Sequence, residues 1–203
     1  MNHTTREDWL AAALEEMRPM VQAFTSDEIP PQVRVACALP PNFSRSGAHG
    51  ETWAPAHSSD THWEIVVSST LADPVAVFGA LLHEALHTAV NDTKHTKAWT
   101  AAAEALGLAP VGPASDTWAR TSESASFATI WRPIIESLGP YPHGALLAGM
   151  SKPKQSTRML KCVCPSCNWT FRATPKHIAK GLPTCACGDT FKCNELTTEE
   201  EAA

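Results

Sequence analysis

The sequence has no long apolar run. Its longest uncharged apolar stretch lies around Pro74–Leu82, far short of the about 20 residues that a membrane-spanning helix needs. The first residues, Met-Asn-His-Thr-Thr-Arg-Glu-Asp-Trp, lack the basic-then-apolar order of a signal peptide. A soluble, cytoplasmic protein that is not secreted and has no membrane partner is therefore expected. Internal repeats are also absent. So is the compositional bias of a disordered or collagen-like chain, since 43% of residues are apolar and 18% charged. A length of 203 residues leaves room for one sizeable domain and one small one.

Acidic residues are scarce in one place only. Residues 151–194 carry eight Lys and Arg against a single acid, Asp189, a net charge of +7. Residues 1–150 are acidic, at −8, and residues 195–203 add four Glu and no base. A basic segment is the usual footprint of nucleic-acid contact. Six of the seven cysteines also fall here, at 162, 164, 167, 185, 187 and 193, leaving Cys37 alone. In a reducing compartment such clustering favours thiolate chemistry or metal binding over disulfides. The polar stretch with Gly and Pro near residue 149 reads as a linker. The expected organisation is a domain over 1–148, a linker over 149–157, a cysteine-rich unit over 158–195 and an acidic tail over 196–203.

Periodicity predicts a helix over about 7–24, with Leu10, Ala13, Leu14, Met17, Val21 and Phe24 on its apolar face. Strands are expected at Val33–Leu39 and Glu64–Ser68, with a long loop or hairpin over 40–62. Asp73-Pro74 marks a helix start running to about Val90. Further helices fit His95–Leu106, stopped by Gly107, and about 117–138. Helices and a few strands that do not alternate indicate an α+β fold.

The helix after Asp73 contains His83-Glu84-Ala85-Leu86-His87. Residues four apart lie above one another on a helix, so both imidazoles can bind one Zn²⁺. Glu84 sits beside that metal and can take a proton from its bound water, whose pKa zinc lowers towards about 7. Chance gives roughly 0.03 such matches in a chain of this composition. A catalytic zinc needs a third protein ligand. His95 is the first candidate, since the short turn over Asn91–Lys94 allows the chain to reverse. Glu104 and Asp92 are alternatives.

Cys164-Pro-Ser-Cys167 and Cys185-Ala-Cys187 form two knuckles at the spacing of a four-cysteine structural zinc site. Asn168 tolerates the left-handed backbone that follows such a turn. A segment of about 35 residues has too little core to fold alone, so the metal would stabilise it. Cys162 and Cys193 are left over, and Cys37 reads as a buried strand residue. Between the knuckles, Arg172, Lys176 and Lys180 are candidates for phosphate contact. Trp169 and Phe171 are expected to pack the small core. An alternative partner for the basic segment is the acidic first domain or the Glu-rich tail.

Taken together, His83-Glu-Ala-Leu-His87, His95-Thr-Lys-Ala-Trp99, Leu138-Gly-Pro-Tyr-Pro-His143 and the cysteine-rich ribbon resemble the SprT-like family of zincin metallopeptidases. The Spartan proteases that act on DNA–protein crosslinks belong to it. The resemblance runs from about Thr61 to Cys187 and is greatest to compact members of actinobacteria and their phages. The Gly that usually follows the third His is Thr96 here. The resemblance implies a zincin-like metalloprotease domain with a C-terminal four-cysteine zinc ribbon, in a bacterium or a phage-infected cell. It implies one catalytic Zn²⁺ on His83, His87 and His95, with Glu84 as the catalytic acid and base. A second, structural Zn²⁺ would sit on Cys164, Cys167, Cys185 and Cys187. The implied substrate is protein or peptide on or near DNA, single-stranded or crosslinked. A peptide would lie along a sheet edge, for which Trp63–Val67 is the candidate. Tyr141, with His143, is a candidate donor to the oxyanion of the transition state. The alternative is a zinc-dependent DNA-binding or regulatory protein that keeps the fold without cleaving.

Overall fold

The computed structural model describes residues 3–43, 47–111, 117–147 and 159–193. The fold is mixed α+β. Two compact units divide the chain, Met1–Ala148 and Gly149–Ala203. The expected linker at 149–157 and acidic tail at 196–203 lie outside the described residues.

The first unit starts with α1, Arg6–Thr25. Thr5 caps it by accepting from the Asp8 N–H, and Glu7 and Asp8 favour the positive end of the helix dipole. Its buried stripe is Trp9, Leu10, Ala13, Leu14, Met17 and Val21. Phe24 was expected to continue that stripe but is 48% exposed, because the helix ends beside it at a left-handed Ser26.

Three strands follow: β1 (Val33–Ala38), β2 (Gly50–Trp53) and β3 (Trp63–Ser68). Their order is β1-β3-β2, with β1 parallel and β2 antiparallel to β3. The antiparallel β2–β3 pair makes the end of the 40–62 segment a hairpin, one of the two forms expected for it. One expectation is corrected. Trp63–Val67 is the central strand, so its backbone groups are paired on both sides. Among the described residues the open edges belong to β1 and β2. Register puts Val33, Val35, Ile65, Val67, Gly50 and Thr52 on one face. The other face is solvated, with Arg34 paired to Glu64 and Asp60.

α2, Pro74–Ala89, packs against the apolar face of this sheet. Asp73 caps it, accepting from the Ala76 N–H at 2.9 Å, and Pro74 occupies the first turn without losing a bond. It is buried nearly all round, through Val77, Phe78, Leu81, Leu82, Ala85 and Leu86. Phe78 meets the rings of Trp9, Phe127 and Trp131. Burying each such side chain is worth about 1.5–3 kcal/mol, so α2 is the rigid axis of the unit.

α3 (Lys97–Ala105) ends at Gly107, whose φ of +85° suits glycine. A Cβ there would also meet the Phe127 backbone at 2.5 Å. β4 (Leu108–Pro110) and β5 (Thr121–Glu123) pair as a small antiparallel sheet. The last helix, α4, runs Ala125–Leu138 and starts later than the expected residue 117. Ser124 caps it, accepting from the Phe127 N–H, and β5 takes the residues before.

The second unit holds β6 (Leu160–Val163), β7 (Thr170–Ala173), the short α5 (Pro175–Ile178) and β8 (Lys192–Cys193), with sheet order β7-β6-β8. Its core is small: Cys162, Cys164, Cys185 and Phe191 are buried, with Phe171, Ile178 and Leu182 against them. No helix among the described residues is long and apolar enough to cross a membrane.

Candidate metal centres

α2 ends at Val90, and Asn91 takes a left-handed φ of +53°. The chain then reverses. The Asp92 N–H donates to the His87 carbonyl at 3.1 Å, and the Asp92 carboxylate accepts from the Lys94 N–H at 2.9 Å. This turn returns His95 to the helix. His83, His87 and His95 each offer a ring nitrogen, and these lie within 4.8 Å of one another. His83 Nε2 and His95 Nε2 are 3.2 Å apart. Zinc–nitrogen bonds of about 2.05 Å give a tetrahedral edge of about 3.3 Å, so that spacing suits two ligands of one ion.

The other ring nitrogens are held from behind. His87 Nδ1 donates to the Asp92 carbonyl at 2.8 Å, which leaves Nε2 with its lone pair free for a metal. His83 Nδ1 is 3.1 Å from the Thr121 hydroxyl of β5. Trp99 of α3 packs on all three imidazoles, with ring centroids 4.6 to 5.0 Å away, and Trp118 backs it. Asp92 serves through its backbone. Neither it nor Glu104 joins the ligand group.

Burial sets the protonation states. His83 lies well below its ordinary value, because charging it there would strip its water and because His87 and His95 would repel it. His87 is pushed down to about 4, chiefly by burial. Both rings are therefore neutral at pH 7 and ready for a metal. Glu84 is pushed up to about 7 by burial, against the lowering effect of its bond from Thr52. The Thr52 hydroxyl of β2 donates to Glu84 Oε2 at 2.7 Å. Thr52, Thr121 and Gly50, which faces Glu84, were missed in sequence. They lie in short strands far along the chain, with no local pattern to mark them.

Tyr141 is not at this centre. It is buried against Trp9, at 5.2 Å between ring centroids, and its hydroxyl donates to Cys37 Sγ at 3.4 Å. Its role as an oxyanion donor is corrected: apolar burial and the Cys37 contact hold it in the core. Burial pushes its pKa far up. Cys37 itself is half-buried. His143 is exposed, with a left-handed φ of +66°.

In the second unit, the sulfurs of Cys164, Cys167, Cys185 and Cys187 also lie within 4.8 Å of one another. The knuckles are built alike. Asn168 N–H donates to the Cys164 carbonyl at 3.0 Å, and Gly188 N–H to the Cys185 carbonyl at 2.9 Å. Asn168 and Gly188 both take positive φ, at +59° and +95°. The amides of Cys167 and Ser166 draw the Cys164 thiol down to about 7, whereas Cys167, Cys185 and Cys187 lie above their ordinary value, so without a metal only one of the four is poised as a thiolate.

Cys162 and Cys193, left over in the sequence reading, face each other across β6 and β8 and form a disulfide. Register explains this, since directly opposed residues share a face. Trp169 does not pack the core as expected. It is 62% exposed and only its ring leans on Phe191, at 5.5 Å. Phe171 and Phe191 fill the core instead, at 4.8 Å. Arg172, Lys176 and Lys180 are all exposed. The sheet adds two cations that sequence reasoning did not single out: Lys161, opposite Arg172, and Lys192, opposite Val163. These share the outer face.

Comparison with protein-family models, curated proteins and solved structures gave no match. The functional reading therefore rests on the residues and their geometry.

Proposed function

We propose that this chain is a zinc-dependent endopeptidase of SprT-like, zincin type that acts on protein held on nucleic acid. One observation carries the reading: His83, His87 and His95 converge beside a buried carboxyl, Glu84, that the Thr52 hydroxyl holds in place. A group of ligands alone needs no such neighbour. A zinc ion on these three histidines would supply an activated water and polarise the scissile carbonyl.

The chain's own residues do the rest. Glu84 takes a proton at its carboxylate and returns it to the leaving amine. Thr52 holds that carboxylate. Thr121 and the Asp92 carbonyl orient His83 and His87. Trp99 keeps the ligand side dry. The open edge of β2 offers backbone groups to an extended peptide.

The four thiolates would hold a second zinc, closed and structural. The outer face of the β7-β6-β8 sheet supports a nucleic-acid partner. Lys161 and Arg172 stand directly opposite, a like-charged pair that costs stability unless anions offset it. The one acid among residues 159–193, Asp189, accepts instead from the Ser166 hydroxyl.

Cleavage of a protein crosslinked to single-stranded DNA tests the reading, with wild type and Glu84→Gln loaded with zinc. Wild type should cleave, and the variant should bind two zincs and lose about 10²–10⁴-fold in rate. A wild type that binds two zincs without cleaving, or a variant that cleaves as fast as wild type, would remove the Glu84-assisted peptidase.

A further inference from the structure

β2 meets the helix that carries the histidines at Glu84, and it does so in two complementary ways. Residues 50 and 52 face that helix, opposite Val67 and Ile65 of the central strand. At position 50 there is no side chain. A Cβ there would lie 2.6 Å from Glu84 Cγ and 2.6 Å from Oε1, closer than such atoms approach. At position 52 there is a donor. The Thr52 hydroxyl lies 2.7 Å from Glu84 Oε2 and 3.1 Å from the Glu84 backbone oxygen.

We propose that Gly50 and Thr52 are positioning residues for Glu84: the strand fixes the carboxylate by a missing methyl on one side and a hydrogen bond on the other. The proposal rests on the peptidase reading and adds a device to it. A Glu side chain has three rotatable bonds, and ordering them has an entropic cost. Burial alone selects no single rotamer. Space at Gly50 admits one placement of the carboxylate, and the Thr52 hydroxyl then gives it the hydrogen bond that a buried polar group needs. The same strand has its far edge open among the described residues. A peptide added there is registered against the strand that holds the base. Docking and proton transfer thus share one reference frame.

The test uses the full chain with Thr52→Val, Thr52→Ser and Gly50→Ala, and has two readouts. The first is turnover of zinc-loaded protein on casein crosslinked to single-stranded DNA. Thr52→Val and Gly50→Ala should keep two zincs, hold KM within about twofold and lose at least about tenfold in kcat, since a small misplacement of a reacting group is costly. Thr52→Ser should restore most of the rate. The second is thermal unfolding of the metal-free protein in a double-mutant cycle with Glu84→Ala. Thr52→Val and Gly50→Ala should lower the midpoint by several degrees when Glu84 is present and by much less when it is Ala.

Equal losses in both backgrounds, or a Ser variant as slow as Val, would overturn the positioning role. A wild type that carries two zincs and does not cleave would overturn the peptidase reading instead. The thermal cycle would still decide whether β2 holds Glu84.

Discussion

The two ligand clusters of this chain differ in what supports what. Two of the three histidines sit on a helix buried nearly all round, within a core that includes Trp9, Phe78, Trp99, Phe127 and Trp131, and a turn brings the third back to it. The rings of His83 and His87 are already oriented by Thr121 and the Asp92 carbonyl. The cysteine cluster sits in a unit whose buried core is two of its own thiols, a disulfide cysteine and Phe191. Its other two thiols, Cys167 and Cys187, are exposed. In the first unit the fold makes the site. In the second, a metal on the proposed reading would make the fold. This division suits a catalytic metal, which needs an open position on a rigid frame, and a structural one, which needs closure.

Metal removal is the strongest way to break that comparison. A structural four-thiolate zinc contributes about 10–16 kcal/mol to a small domain, more than its residual core and one disulfide can replace. A chelator at neutral pH should abolish amide-exchange protection over 160–193 and leave the α2 amides protected. Loss of protection in both units, or in neither, would erase the distinction.

His83→Ala comes next in size. It should reduce bound zinc from two per chain to one and leave the cysteine unit intact. The first unit should stay folded, losing only the linkage that a bound ligand gives, about 3–4 kcal/mol at 100 to 1,000 times its dissociation constant. Calorimetry with zinc analysis checks this. A variant that unfolds outright would show that the histidine site, too, depends on its metal.

These outcomes also bear on why some of the molecule was legible in sequence. Asp73-Pro74 and the His83–His87 motif are local signals, and the helix between them needed only helical spacing. His95 was within reach because Asn91 permits a left-handed turn four residues after His87. The cysteine knuckles were legible for the same reason, each being closed by its own backbone bonds. Thr52 and Thr121 were not, since they meet Glu84 and His83 across 32 and 38 residues of chain. Their strands are four and three residues long, too short to show alternation. Tyr141 was placed by its resemblance to the family's loop, and only the contacts with Trp9 and Cys37 show that the loop packs its ring into the core instead of over the cleft. Cys162 and Cys193 were opaque because pairing depends on a register that spacing does not give.

The smallest effect sharpens the comparison within the histidine site itself. In the metal-free protein His87 titrates at about 4 instead of 6.5. The unfolded chain therefore binds the extra proton between those values, so this stability is full above about pH 6.5 and lost as pH falls through 4. Glu84 runs the other way, at about 7 instead of 4.5. Its contribution is full below about pH 4.5 and lost as pH rises through 7. Each shift corresponds to about 3 kcal/mol, so the two oppose each other between pH 4.5 and 6.5, and His83 adds to the histidine side. Glu84→Gln removes one arm. Its thermal midpoint, measured without metal, should exceed wild type at pH 8, and the gap should close below about pH 4.5, where the wild-type carboxyl becomes protonated in both states. A gap independent of pH would mean that Glu84 is not held as a buried acid, and the site would lose the proton carrier that distinguishes it from a simple metal cluster.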